Sequence, residues 1–175
     1  MFELRKIDII IDGITDCLVE RASEKRIDTE ISEVSFRCRL PGWKFDWSEP
    51  ERQGSSVYAL RVKGDPEAVI QGLVAFHEDK ENECVYGDLL ESNSENIGRD
   101  GKYLGVGAHL TAFACKTARS LGYDAFYFMA KTLLMDHYRK TLGATQIGSS
   151  ALMGIFEPAF SNLINSYYEK EISDG

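Results

Sequence analysis

Residues 125–130, Ala-Phe-Tyr-Phe-Met-Ala, are apolar at every position, and a strand of that composition has to be covered on both faces. Such a strand belongs inside a sheet and is expected to run parallel to a neighbour. An α-helix is written just upstream. Leu110, Phe113, Ala114, Ala118 and Leu121 share one helical stripe, which closes at Gly122, a residue suited to the position after a helix C-cap. A helix followed by a doubly covered strand predicts an α/β (α+β) domain with a mixed sheet and helices on both faces.

The rest of the chain divides around that unit. Residues 2–6 read as a short strand, and Ile7, Ile10, Ile11, Ile14, Leu18 and Val19 recur at helical spacing. The polar stretch 20–33 reads as a solvated face or loop, and Leu40-Pro41-Gly42 as a stop and a turn. Segments 43–47, 57–62 and 68–77 are predicted as an antiparallel meander, and 84–91 completes a hairpin with the strand before it. Downstream, a helix is expected over 133–142, closed by Gly143, then strand material over 151–156. Pro158 opens a last helix, in which Phe160, Leu163, Ile164, Tyr167 and Tyr168 form the buried stripe. No internal repeat interrupts this order.

A length of 175 residues fits one domain that buries roughly 68 to 70% of its unfolded surface, without help from disulfides or metal. The four cysteines, Cys17, Cys38, Cys84 and Cys115, are dispersed without a C-x-x-C pair and read as reduced thiols of a cytoplasmic protein, with Cys115 in the core. His77, His109 and His137 have no metal-ligand spacing, so no metal is expected. A net charge of -8 argues against nucleic acid as partner, because phosphate binding needs clustered Lys and Arg; it favours a cationic substrate. No window approaches a membrane span, and the acids near the start are unlike a signal peptide. No membrane partner is expected.

The strongest local signal is Lys102-Tyr103-Leu104-Gly105-Val106-Gly107-Ala108, set between a strand and the predicted helix. Backbone N–H groups and the positive end of a helix dipole face outward together there, which suits a phosphate or pyrophosphate. A dinucleotide fingerprint would need glycine at position 110, which is Leu110, and a P-loop would need Gly-Lys-Ser/Thr, which is absent. Glycines that merely turn the chain into a helix remain the alternative. One helix, one buried strand and one further helix later comes Tyr138-Arg139-Lys140-Thr141-Leu142-Gly143-Ala144.

This order of elements and motifs resembles the Gcn5-related N-acetyltransferase superfamily over residues 68–168. The resemblance implies parallel strands that splay around a cofactor cleft, with acetyl-CoA as co-substrate and a primary amine, on a small molecule or a protein, as acceptor. Lys102, Tyr103, Leu104, Gly105, Val106, Gly107 and Ala108 would hold its pyrophosphate. The strand 84–91, ending in Leu89, Leu90 and Glu91, would lie along pantetheine, and 124–130 would splay from it. Tyr138 is implied as the acid that protonates the departing thiolate. Glu91, with Asp88 and Glu95 behind it, is implied as the base. Lys131 stands where the family often has a cofactor-binding Asn, and residues 92–101 are an insertion relative to the family.

Residues 1–55 would form a variable acceptor-side part, where Trp43, Phe45 and Trp47 either line an acceptor pocket or are core. His109, in the first turn of the phosphate-facing helix, could contact the cofactor but is expected at the surface. Two other classes fit the same sequence: a catalytically silent acyl-CoA-binding regulatory domain, and a homodimer joined through the outer strand 151–156.

Overall fold

The computed structural model describes residues 18–168. Strands β1 (Leu18–Glu20), β2 (Arg26–Ile27) and β3 (Thr29–Val34) come first, then the one-turn helix α1 (Glu49–Arg52). A meander follows: β4 (Ser56–Val62), β5 (Gly72–Asp79) and β6 (Cys84–Ser92). The short β7 (Tyr103–Leu104) leads into α2 (Val106–Ser120), β8 (Phe126–Met129) and α3 (Met135–Leu142). The described chain closes with β9 (Thr145–Gln146), β10 (Leu152–Ile155) and α4 (Ala159–Tyr168).

Seven strands form one sheet in the order β3-β4-β5-β6-β8-β10-β9, and β2-β1-β7 form a smaller one. Every described pairing is antiparallel except β6 with β8, so the apolar strand does run parallel to β6, but only its Phe126 and Phe128 face is buried; Tyr127 and Met129, on the other face, are half-buried. Strand alternation sorts the apolar residues onto two faces. Tyr58, Leu60, Val74, Phe76 and Leu90 pack with α2 and α4, whereas Val57, Ala59, Leu73, Ala75 and Leu89 pack with Trp47 and the segment carrying α1. Helix α2 presses closely on the sheet. A Cβ at Gly72 would lie 2.5 Å from Val106 Cγ1 and 2.8 Å from Leu110 Cδ1, so only glycine lets the first turns of α2 sit this near β5.

Two features of β6 create the cleft. Ala75 faces Leu89 and Phe76 faces Gly87, which leaves Asp88 as an extra, bulged residue. A bulge bends its strand, and β6 pairs with β8 only over Val85–Gly87 before the two diverge. The bulged carboxylate is pinned by Ser55 Oγ, which donates at 2.5 Å, and by His77 Nδ1 at 2.7 Å.

Several expectations need correction. Leu18 and Val19 are strand rather than helix, while the other residues of that stripe and the strand over 2–6 lie outside the described residues. The polar stretch 20–33 contains β2 and most of β3: in an edge strand only Ile27, Ile31 and Val34 reach apolar neighbours, and the charges between them hide the alternation. Segment 43–47 is not a strand but a loop tied down by Glu91. The strand around 151–156 is not outermost, because β9 pairs with β10 over Met153 and Gly154 and takes the edge. Leu121 ends the α2 stripe as a C-cap residue that is 47% exposed.

Candidate active site

A cavity of about 380 Å³ lies between the end of β6, β7, the start of α2 and the loop 42–45. One wall is backbone. Gly105 is the N-cap of α2 with φ +94°, a left-handed conformation that glycine adopts without a Cβ penalty, and no side chain caps the helix. His109 N donates to Gly105 O at 2.9 Å and closes the first turn, so the N–H groups of Val106, Gly107 and Ala108 precede the first intrahelical bond. Gly105, Val106 and Gly107 all line the cavity, which gives it an uncapped helix N-terminus able to receive an anion.

The facing wall is made of side chains. Glu91 near the end of β6 accepts three hydrogen bonds from the loop before α1: Lys44 N at 2.7 Å, Phe45 N at 3.1 Å and Trp47 Nε1 at 2.9 Å. Hydrogen bonds to a carboxylate are among the stronger ones in proteins. They strap residues 42–45 against the cleft, where Trp43 and Phe45 line the cavity, while Trp47 is 0% exposed and anchors the strap in the second core. Of the aromatic segment, Trp43 and Phe45 thus line the cavity while Trp47 is core.

The insertion 92–101 folds into the wall instead of projecting from it. Asn96 is buried; its Nδ2 donates to Gln71 Oε1 at 2.9 Å, and its Oδ1 accepts from Tyr103 N at 3.1 Å. That bridge fixes β7 directly ahead of Gly105. Ser94, Asn96 and Ile97 then line the cavity, a contribution the sequence reading missed. The cue available was Asn93, whose side chain accepts from Glu95 N and starts a helical turn.

The residues implied by the resemblance separate on these walls. Leu90, Glu91, Tyr103, Gly105, Val106 and Gly107 meet at the cavity. Leu89 points to the opposite face of the sheet, into the Trp47 cluster, and Ala108 is in the main core. Lys102 lies beside a depression formed with Arg21 and Arg99, its ammonium 5.2 Å from the Tyr103 ring centroid. Leu104 is in β7, and Lys131 is the residue before the short 3-10 turn after β8; neither lines the cavity.

Tyr138 is 0% exposed, packs edge-on against Phe128 at 5.4 Å and does not line the cavity. His109, expected at the surface, is 7% exposed, and burial pushes its pKa down to about 4. Burial pushes the Cys84 thiol up to about 12 and Cys115 upward too, so both remain protonated core thiols. Among the described residues no group of three His, Cys, Asp or Glu side chains could hold a metal ion. No described helix is long and apolar enough to cross a membrane.

No protein-family model matches the chain, and no curated protein does. Solved structures do. The AtaTR complex bound with acetyl-CoA is 17% identical, over 78% of this chain and 98% of that one, with a TM-score of 0.54. A mutant AtaT toxin bound to the C-terminus of the antitoxin AtaR and acetyl-CoA is 15% identical over the same shares, also at 0.54. Nourseothricin acetyltransferase is 19% identical over 59% of this chain and 66% of its own length; its TM-score of 0.45 adds nothing to the assignment. Bulged β6, its splay from β8 and the glycine-headed α2 thus occur in a chain whose fold is that of the Gcn5-related N-acetyltransferases.

Proposed function

We propose that this protein transfers an acetyl group from acetyl-CoA to an amine. The observation that carries the reading is the uncapped N-terminus of α2, headed by left-handed Gly105, opening into the cavity beside the end of β6. The AtaT structures, which share the fold, hold acetyl-CoA, and this supports the donor. In this reading the N–H groups of Val106, Gly107 and Ala108 take the pyrophosphate, and the stretch of β6 beyond Gly87, free of β8, offers its backbone to pantetheine. A backbone N–H of that stretch polarises the thioester carbonyl.

The amine enters neutral and its lone pair attacks the carbonyl carbon. A C–N bond forms, the C–S bond breaks, the sulfur leaves with the bonding pair, and the nitrogen's extra proton passes to water. A free thiol has a pKa of about 8.5, so the thiolate leaves without a dedicated acid. Orientation between the two walls supplies the catalysis, and Glu91 holds one of those walls. The net charge of -8 draws in an amine that is cationic in bulk water and gives its first proton to solvent before attack. Turnover with a panel of amines, followed by release of CoA thiol, tests the reading; turnover confined to hydroxyl or anionic acceptors would exclude it.

One observation favours a second reading, a silent acyl-CoA-binding domain: among the described residues Glu91 is the one carboxylate lining the cavity, and three donors already occupy it. Tight acetyl-CoA binding without turnover of any amine would select that reading.

A further inference from the structure

A second cavity, of about 570 Å³, lies between α2, the end of α4 and the β2–β3 edge. That volume falls within the range of small-molecule sites. His109, Phe113 and Lys116, spaced i, i+4 and i+7 along one face of α2, form its floor with Tyr167 and Tyr168; Asp28 and Lys63 lie on its rim. None of these residues lines the cleft cavity.

Two polar atoms here are unusual. His109 Nδ1 and the Tyr168 hydroxyl are buried, and neither has a hydrogen-bond partner among the described residues. Leaving such a group unmet costs about 1–3 kcal/mol, so natural chains normally pair them. Burial keeps His109 neutral above about pH 4, so one of its ring nitrogens carries a proton and the other accepts. Burial pushes the Tyr168 phenol up as well, so it remains an O–H donor. Lys116 Nζ sits 4.2 Å from the Tyr168 ring centroid. The wall therefore offers the Tyr168 hydroxyl and two ammonium groups beside the rings of Phe113 and Tyr167, and Lys63 and Lys116 against Asp28 leave one net positive charge.

We propose that this cavity is a second ligand site, separate from the cleft, which takes a small aromatic carboxylate: the ring lies on Phe113 and Tyr167, and the carboxylate meets Lys116, Lys63 and the Tyr168 hydroxyl. A monoanion matches the single net charge, and an aromatic ring matches the aromatic side chains of the floor. Occupancy would reach the cleft through α2, because His109 also closes the first helical turn onto Gly105.

The test follows the His109 ring resonances by NMR, identified by their loss in His109→Gln, while 2-naphthoate, 2-naphthamide and inorganic phosphate are titrated in turn. Naphthoate should shift them saturably, and the neutral amide should bind roughly tenfold or more weakly for want of the charged contacts. Lys116→Gln and Lys63→Gln, both at exposed positions, should each weaken naphthoate, and saturating acetyl-CoA should not displace it. The proposal is overturned if naphthoate gives no shift by about 10 mM. It is equally overturned if the amide binds as well as the acid, if phosphate alone saturates the site, if both lysine variants bind like the parent, or if acetyl-CoA competes.

Discussion

The two walls of the cleft are built by different means. The α2 wall is backbone: Gly105, Val106 and Gly107 present N–H groups whose direction follows from helix geometry and one left-handed residue. The opposite wall is side chain: Trp43 and Phe45 are held in place by Glu91, which lies more than forty residues along the chain from the N–H groups it accepts. A wall made of backbone needs only local sequence to form. The strap depends on one carboxylate that holds three distant donors, so a single substitution at Glu91 removes its anchor.

The largest effect is therefore expected at Glu91. Glu91→Ala leaves Lys44 N, Phe45 N and the Trp47 indole without their acceptor, at an expected cost of about 2–4 kcal/mol in chemical denaturation. In turnover it should raise the acceptor KM steeply while acetyl-CoA affinity stays within about threefold, since the donor wall does not move. Glu91→Gln retains one carbonyl oxygen and should recover part of both losses. A base would behave differently: both variants would then lose kcat equally with acceptor KM unchanged, and the strap would be irrelevant to catalysis.

A smaller loss is expected from the other side. Gly72→Ala places a Cβ against Val106 and Leu110, an overpacking that costs about 1–3 kcal/mol and displaces the first turn of α2. Acetyl-CoA affinity should fall with stability in this variant, whereas Glu91→Ala separates the two. Equal acetyl-CoA affinity in Gly72→Ala would mean that the donor wall tolerates movement.

The bulge below the cleft adds a pH term. His77 is hydrogen-bonded to Asp88, which raises its pKa in the folded protein. The contribution is thus fully present below the unfolded value of about 6.5 and is lost as pH rises through the higher native value. Thermal melts should show a stability decrement across that window, and Asp88→Asn should flatten it. An unchanged profile in Asp88→Asn would assign the dependence elsewhere.

The smallest effect is expected at Tyr138. Its ring packs on Phe128 away from the cavity, so Tyr138→Phe should keep turnover within about tenfold of the parent. A loss of roughly 10²-fold or more in kcat at constant acetyl-CoA affinity would restore the acid role that the resemblance implies.

What the sequence made legible follows the same division. The helix that stops before Gly122, the apolar strand around 126–129 and Gly105 ahead of α2 are local patterns, and each appears close to where it was expected. Residues 43–47 alternate aromatic and polar side chains as a strand does, yet Glu91 fixes them as a loop, and nothing near position 44 signals a partner at 91. Lys102 and Ala108 flank the glycines in sequence, but a helix directs successive side chains around its axis, so Ala108 enters the core while Gly107 lines the cavity. Asn96 was hidden for the same reason as Glu91: its partners, Gln71 and Tyr103, come from two other elements.

The central claim is that the N-terminus of α2 receives the diphosphate of acetyl-CoA. Backbone amide NMR during an acetyl-CoA titration tests it most directly, with free adenosine as control. The largest downfield shifts should fall on the N–H groups of Val106, Gly107 and Ala108, saturate with acetyl-CoA and be nearly absent with adenosine. Binding that leaves those three amides unmoved while shifting others, or no binding at about millimolar ligand, would contradict it.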